Sequence, residues 1–148
     1  MTDLERLSTT VEAFCRFIEG LPEDDLVEQE WGPQEVLAHL VYYHQLYVAQ
    51  VEALLAGAPF EPPQGRYSDL NAQAVALSCG VPPAELVARF RAANRRLGEL
   101  AASPQAEAIV LEIKQGVKPR RLYFLIPEIE AHVRNHLQQL AKSRRATA

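Results

Sequence analysis

Pro33-Gln34-Glu35-Val36-Leu37-Ala38-His39-Leu40-Val41-Tyr42-Tyr43-His44-Gln45-Leu46-Tyr47-Val48-Ala49-Gln50-Val51-Glu52-Ala53-Leu54-Leu55 is the stretch on which the fold turns. Val36, Leu37, Leu40, Tyr43, Tyr47, Val51 and Leu54 recur at helical spacing, so they line one side of a helix. Pro33 suits the first helical turn, where its missing N–H has no intrahelical partner to lose. Gly57 and Pro59 end the segment. An apolar stripe of this length needs similar stripes to cover it, and the chain supplies three more.

Residues 3–19 carry Leu4, Leu7, Val11, Phe14, Phe17 and Ile18 on one face, and Gly20 and Pro22 follow. Residues 84–102 carry Leu86, Val87, Phe90, Ala93, Leu97 and Leu100, with arginines on the other side. Residues 120–142 carry Tyr123, Phe124, Ile126, Ile129, Val133, Leu137 and Leu140. Pro127 lies inside this last segment. It either kinks the helix or sits in its first turn, which moves the start to Ile126.

The connections differ in character. Residues 21–32 read as a polar link containing the single tryptophan, Trp31. Residues 58–69 hold three prolines and a glycine and read as a crossover loop, with a short helix expected over 70–78. Gly80-Val81-Pro82-Pro83 is a break. Residues 103–119 are rich in β-branched side chains around Ile109 to Ile113, and a short strand, a loop or an extra helical turn all fit them. Four amphipathic segments with one long crossover predict an all-α four-helix bundle, with residues 1–148 forming one domain.

The bulk numbers narrow the function. The chain has 148 residues, 23% charged and 48% hydrophobic, with 15 basic against 19 acidic groups and a net charge of −4. That balance disfavours a nucleic-acid binder, which needs a positive surface to displace counterions. The basic groups at Arg89, Arg91, Arg95 and Arg96, at Lys118, Arg120 and Arg121, and at Lys142, Arg144 and Arg145 read as solvated helix faces. Cys15 and Cys79 form no CxxC pair, and Cys15 reads as a core residue. Met1-Thr2-Asp3-Leu4-Glu5 has no signal-peptide character, and no apolar run approaches the ~20 residues of a membrane span. A cytoplasmic location is the expectation.

The histidines carry the chemistry. His132 and His136 stand four apart, which puts their Cβ atoms ~6 Å apart on one helix face, where two imidazoles can share a divalent ion. A third ligand must come from another helix. His39 can supply it; on the helical wheel His44 lies nearer the middle of its stripe and is the better placed. The two diverge by about 140° and do not serve one ion together. The plainer reading is a chance HxxxH pair with one core and one surface histidine. Three neutral imidazoles suit zinc, nickel, iron or copper and leave a coordination position open.

Trp31-Gly32-Pro33-Gln34-Glu35-Val36-Leu37-Ala38-His39-Leu40 resembles the tryptophan-to-histidine segment that opens the second helix of the DinB/YfiT-like bundle superfamily. His132-x-x-x-His136-x-x-Gln139-Leu140 resembles that family's closing segment, with Leu137-Gln138 where the pattern has Arg-Gly. Tyr43, His44 and the Tyr67-x-x-Leu70-Asn71 segment look most like the ClbS/DfsB branch. The resemblance implies a DinB-like bundle whose divalent metal, zinc, nickel or iron, is held by His39, His132 and His136.

The resemblance also implies a metal-dependent enzyme, of hydrolase or thiol-transferase type, acting on a small electrophilic or xenobiotic molecule. The competing expectations are a ClbS/DfsB-type bundle that sequesters a small molecule without catalysis, and a structural module, with a homodimer possible. Glu35, Tyr43 and Glu128, each one turn from a histidine of the triad, are the candidate accessory groups, although for Glu35 a favourable charge in the first turn of its helix is the plainer reading. Trp31, Tyr42, Tyr43 and Tyr47 are candidates for a pocket mouth.

Overall fold

The four apolar stripes meet in a bundle. The computed structural model describes residues 1–26 and 31–147. Among them run six helices and one small ribbon: α1 (Asp3–Glu19), α2 (Glu23–Leu26), α3 (Pro33–Leu55), α4 (Tyr67–Leu77), α5 (Pro83–Ala101) and α6 (Leu122–Thr147), with β1 (Val110–Leu111) paired antiparallel to β2 (Arg120–Arg121). Part of the expected link over 21–32 is the single turn of α2, and residues 27–30 of that link lie outside the described residues. Among the described residues no helix is long and apolar enough to cross a membrane.

Side-chain partners fix the helix directions. Thr10 on α1 donates to Glu130 on α6, and Asp25, just beyond α1, accepts from Arg144, so α1 and α6 run the same way. Arg91 on α5 reaches Glu12 and Glu19, while Asn94 reaches Ser8, so α5 opposes α1. His44 on α3 lies against Phe90 and Asn94, and Glu52 meets Arg96, so α3 runs with α5.

Two adjacent parallel helices cannot be joined by a tight turn. The chain must return the whole length of α3, about 35 Å at 1.5 Å per residue. The long proline-rich crossover makes that return, and α4 on it packs against α3. The centre of the bundle is apolar: Phe14 and Phe90 are fully buried and meet edge to face, ring centres 6.0 Å apart.

Local chemistry sets the ends. Thr2 and Glu5 form a reciprocal cap on α1: the Glu5 N–H donates to Thr2 Oγ1 (3.1 Å), and the Thr2 N–H donates to Glu5 Oε2 (2.7 Å). Replacing Thr2 by alanine is expected to cost about 1 kcal/mol, read as a lowered urea midpoint with an unchanged slope. The crossover helix begins three residues earlier than its expected start at residue 70, because Asp69 accepts the Arg66 N–H and starts the turn there.

The last helix overturns the first-turn alternative for Pro127. It starts at Leu122, since Arg120 and Arg121 are used in β2, and it continues through Pro127. Pro127 has no N–H to give the carbonyl one turn back, and the remaining turns carry the helix past that gap.

Residues 103–119 combine a 3-10 turn over Pro104–Ala108 with the ribbon and an irregular arm. The arm is strapped to the crossover. The Gln115 N–H donates to the Pro63 carbonyl (2.9 Å), its side-chain amide to the Pro62 carbonyl (3.0 Å), and Lys114 Nζ to the Gly65 carbonyl (2.9 Å).

The arginine clusters are more structured than a solvated face. Arg91 bridges α5 to α1 through both Glu12 and Glu19, and those hydrogen bonds hold the two carboxyls below the usual carboxylate range. Arg96 ties α5 to α3 through Glu52, and Arg120 pairs with Glu128. Cys15 is buried, and burial pushes its thiol up to about 11, so it is an inert core residue.

Candidate metal centre

α3 and α6 run antiparallel where the histidines lie, and this brings His39 opposite the His132–His136 pair. The His39 and His132 Nε2 atoms are 3.3 Å apart, and those of His132 and His136 are 3.1 Å apart. One ring nitrogen from each of the three lies within 4.8 Å of the others. His39 is buried, and the other two sit nearer the surface.

Hydrogen bonding alone leaves this arrangement under-satisfied. A ring nitrogen offers one proton or one lone pair, and His132 Nε2 faces two other ring nitrogens. His39 Nδ1 is also buried without a hydrogen-bond partner. A cation gives the three inward nitrogens a common partner. Two nitrogens each 2.0–2.1 Å from a tetrahedral ion stand about 3.3–3.4 Å apart. The observed 3.3 and 3.1 Å are close to that spacing, so the donor set fits a metal ion.

The electrostatics agree with the geometry. Burial, followed by the charges of His132 and His136, lowers His39 to about 4, and the nearby Asn71 amide works the other way. Burial, with the charge of His132, lowers His136 to about 4. His132 is lowered by burial as well. Near neutrality all three rings are therefore uncharged and hold free lone pairs, the form a metal requires.

His44 lies elsewhere. It is the more deeply buried of the two α3 histidines, as the wheel indicates, but its Nε2 faces Asn94 Oδ1 on α5 at 3.4 Å. Asn94 in turn donates to Ser8 on α1. The wheel measured depth in the stripe; the cluster needed the margin of the stripe that turns toward α6.

The two candidate accessory carboxylates have partners outside the cluster. Glu35 accepts the Trp31 N–H at 2.6 Å, one turn before the helix proper, instead of orienting His39. Glu128 is engaged by Arg120. Both acids lie one turn from a histidine in sequence, but each has a nearer local partner. Tyr43 does reach the cluster's edge: its ring centre is 5.0 Å from that of His39, and its hydroxyl donates to Asn71 Oδ1 on α4. Burial pushes Tyr43 up to about 12, which keeps it a neutral donor.

Of the four aromatic side chains expected at a pocket mouth, Trp31 lines a cavity of about 250 Å³ beside His136. Tyr47 is buried beside Tyr43 and His44, and Tyr42 packs on Tyr43. The cavity's other walls are Val36, Gln139, Leu140 and Ser143, none of them anticipated. A signal was present: His136, Gln139, Leu140 and Ser143 follow the i, i+3, i+4, i+7 spacing of one helix face.

No curated protein and no solved structure matches the chain. The sequence profile of the DinB superfamily matches residues 4–140, which takes in the tryptophan-to-histidine opening of α3, the crossover and both histidines of α6. The chain belongs to the DinB superfamily.

Proposed function

We propose that His39, His132 and His136 hold one divalent ion and that this site acts on a small electrophilic molecule, as a hydrolase or a thiol transferase. The observation that carries the reading is the meeting of three neutral imidazole nitrogens at 3.1 and 3.3 Å. The DinB superfamily is often metal-binding, which supports it further. An all-imidazole donor set favours zinc, nickel or iron over magnesium or calcium.

When bound, such an ion supplies Lewis acidity, drawing the pKa of a coordinated water or thiol toward neutrality. The rest falls to the chain's own residues. His39, buried at the α3 seam, keeps bulk water from one side. Tyr43 is fixed by Asn71 and packs its ring against His39, holding that imidazole in place. His136, nearer the surface, faces the cavity from which a small molecule enters.

The test is elemental analysis of tag-free protein after exhaustive dialysis, with about one divalent ion expected per chain. Chelation should then leave the helical circular-dichroism signal intact and lower Tm only modestly, through lost ligand linkage, because the apolar core is complete without the ion. Dialysed protein with no ion, and none taken up on titration, overturns the reading. A helical signal that collapses on chelation would make the ion structural instead.

A further inference from the structure

The cavity beside His136 has features that the histidine cluster alone does not require. Its volume, about 250 Å³, lies below the ~300–1,000 Å³ of drug-sized pockets, so it fits a fragment-sized molecule. Its six lining side chains are Trp31, Val36, His136, Gln139, Leu140 and Ser143. None is a carboxylate, an ammonium or a guanidinium. A charge carried on the part of a ligand that lies against these walls would lose its hydration and gain no counter-charge from them. Val36 and Leu140 offer apolar surface, and Gln139 offers an amide.

Trp31 is the unusual wall. Its backbone φ is +61°, a left-handed conformation that bulky residues rarely adopt and that strains the chain. Two contacts hold it there. Its N–H donates to Glu35 Oε2 at 2.6 Å, and its indole meets the His39 ring edge to face, centres 5.7 Å apart. The side chain remains 44% exposed. The fold therefore spends backbone strain to keep a large aromatic face open beside both His39 and His136, where a buried position would have served packing better.

We propose that this cavity seats the organic body of the site's ligand, an uncharged, flat, conjugated molecule with one nitrogen, sulfur or oxygen donor. The donor end meets the cluster at His136, and the flat face lies on Trp31. The proposal rests on the metal reading only for where the donor end binds. Trp31 sets specificity here: it selects planar ligands by stacking and shields the cluster from water on that side.

Trp31 is the only tryptophan of the chain, so its emission reports the cavity directly. Cobalt-loaded full-length protein is titrated with imidazole and, separately, with phenylimidazole, following both the cobalt absorption and the Trp31 fluorescence. Phenylimidazole should quench Trp31 saturably and bind about tenfold or more tighter than imidazole. Trp31→Leu, at a half-exposed position, should abolish that advantage in the cobalt spectrum, leaving phenylimidazole and imidazole about equal in affinity. Leu140→Gln should reduce the advantage with the Trp31 signal still available.

Equal affinities for the two ligands, with unchanged Trp31 emission, overturn the cavity proposal and leave the metal reading standing. If no cobalt binds, the metal reading falls, and phenylimidazole is titrated into the metal-free protein. Saturable quenching that Leu140→Gln weakens then supports the cavity, and its absence overturns it.

Discussion

His132→Ala protein should bind no stoichiometric divalent ion under conditions in which the parent chain holds one. His132 is the middle member of the cluster: its Nε2 is the atom that approaches both His39 and His136. Removing it leaves two donors on opposite helices with no imidazole between them. The loss should exceed the roughly 100-fold that removal of an outer hydrogen-bond partner costs a metal site. The control is His44→Gln, which keeps an amide facing Asn94 and stands outside the cluster. It should retain parental affinity. Isothermal titration of tag-free protein with zinc measures both. Parental affinity in His132→Ala would remove the cluster from the account of this protein, and loss in His44→Gln alone would restore the fourth histidine to it.

The second large effect is acid destabilisation of the metal-free chain. Burial lowers His44 to about 4, against the opposing hydrogen bond it donates to Asn94 Oδ1, and His39 and His136 fall to about 4 as well. The unfolded chain takes up protons near 6.5 that the folded chain refuses until about 4. Stability is therefore complete above about 6.5 and declines as pH falls toward 4. For His44 alone the shift corresponds to roughly 3 kcal/mol.

Urea midpoints of chelator-treated protein should fall steeply from pH 7 to pH 4.5, and His44→Gln should flatten part of that slope. Glu12 and Glu19 act in the same direction but later: Arg91 lowers them from 4.5, so their contribution disappears only below that value. Midpoints that stay level between pH 6.5 and 4.5 would mean that the histidines are solvated in the folded chain.

Much of the bundle was legible because its information is local. The stripes of α1, α3, α5 and α6 repeat within each segment, and the proline-rich crossover announces that α3 and α5 are not joined by a hairpin. The His132–His136 pair was legible for the same reason, as a spacing within one helix. What sequence reading missed depends on which helices are neighbours. The wheel preferred His44 to His39, where the family resemblance named His39, because a wheel ranks depth and says nothing of which seam a residue faces. Arg91 looked solvated because its partners, Glu12 and Glu19, stand more than seventy positions away. For Glu35 the plainer reading holds: it is an acid in the first turn of α3, and it accepts the Trp31 N–H. The ribbon of two-residue strands is too short for any alternation to register.

The bonds that strap the 112–117 arm to the crossover near Pro62, Pro63 and Gly65 bear on how the molecule opens. The two connections are some fifty residues apart in the chain, yet neither can lift away without breaking its bonds to the other. In hydrogen-exchange terms they form one cooperative unit whose amides gain and lose protection together. The Gln115 amide, in a segment with no regular structure, should exchange at the rate of that unit, more slowly than a free loop amide.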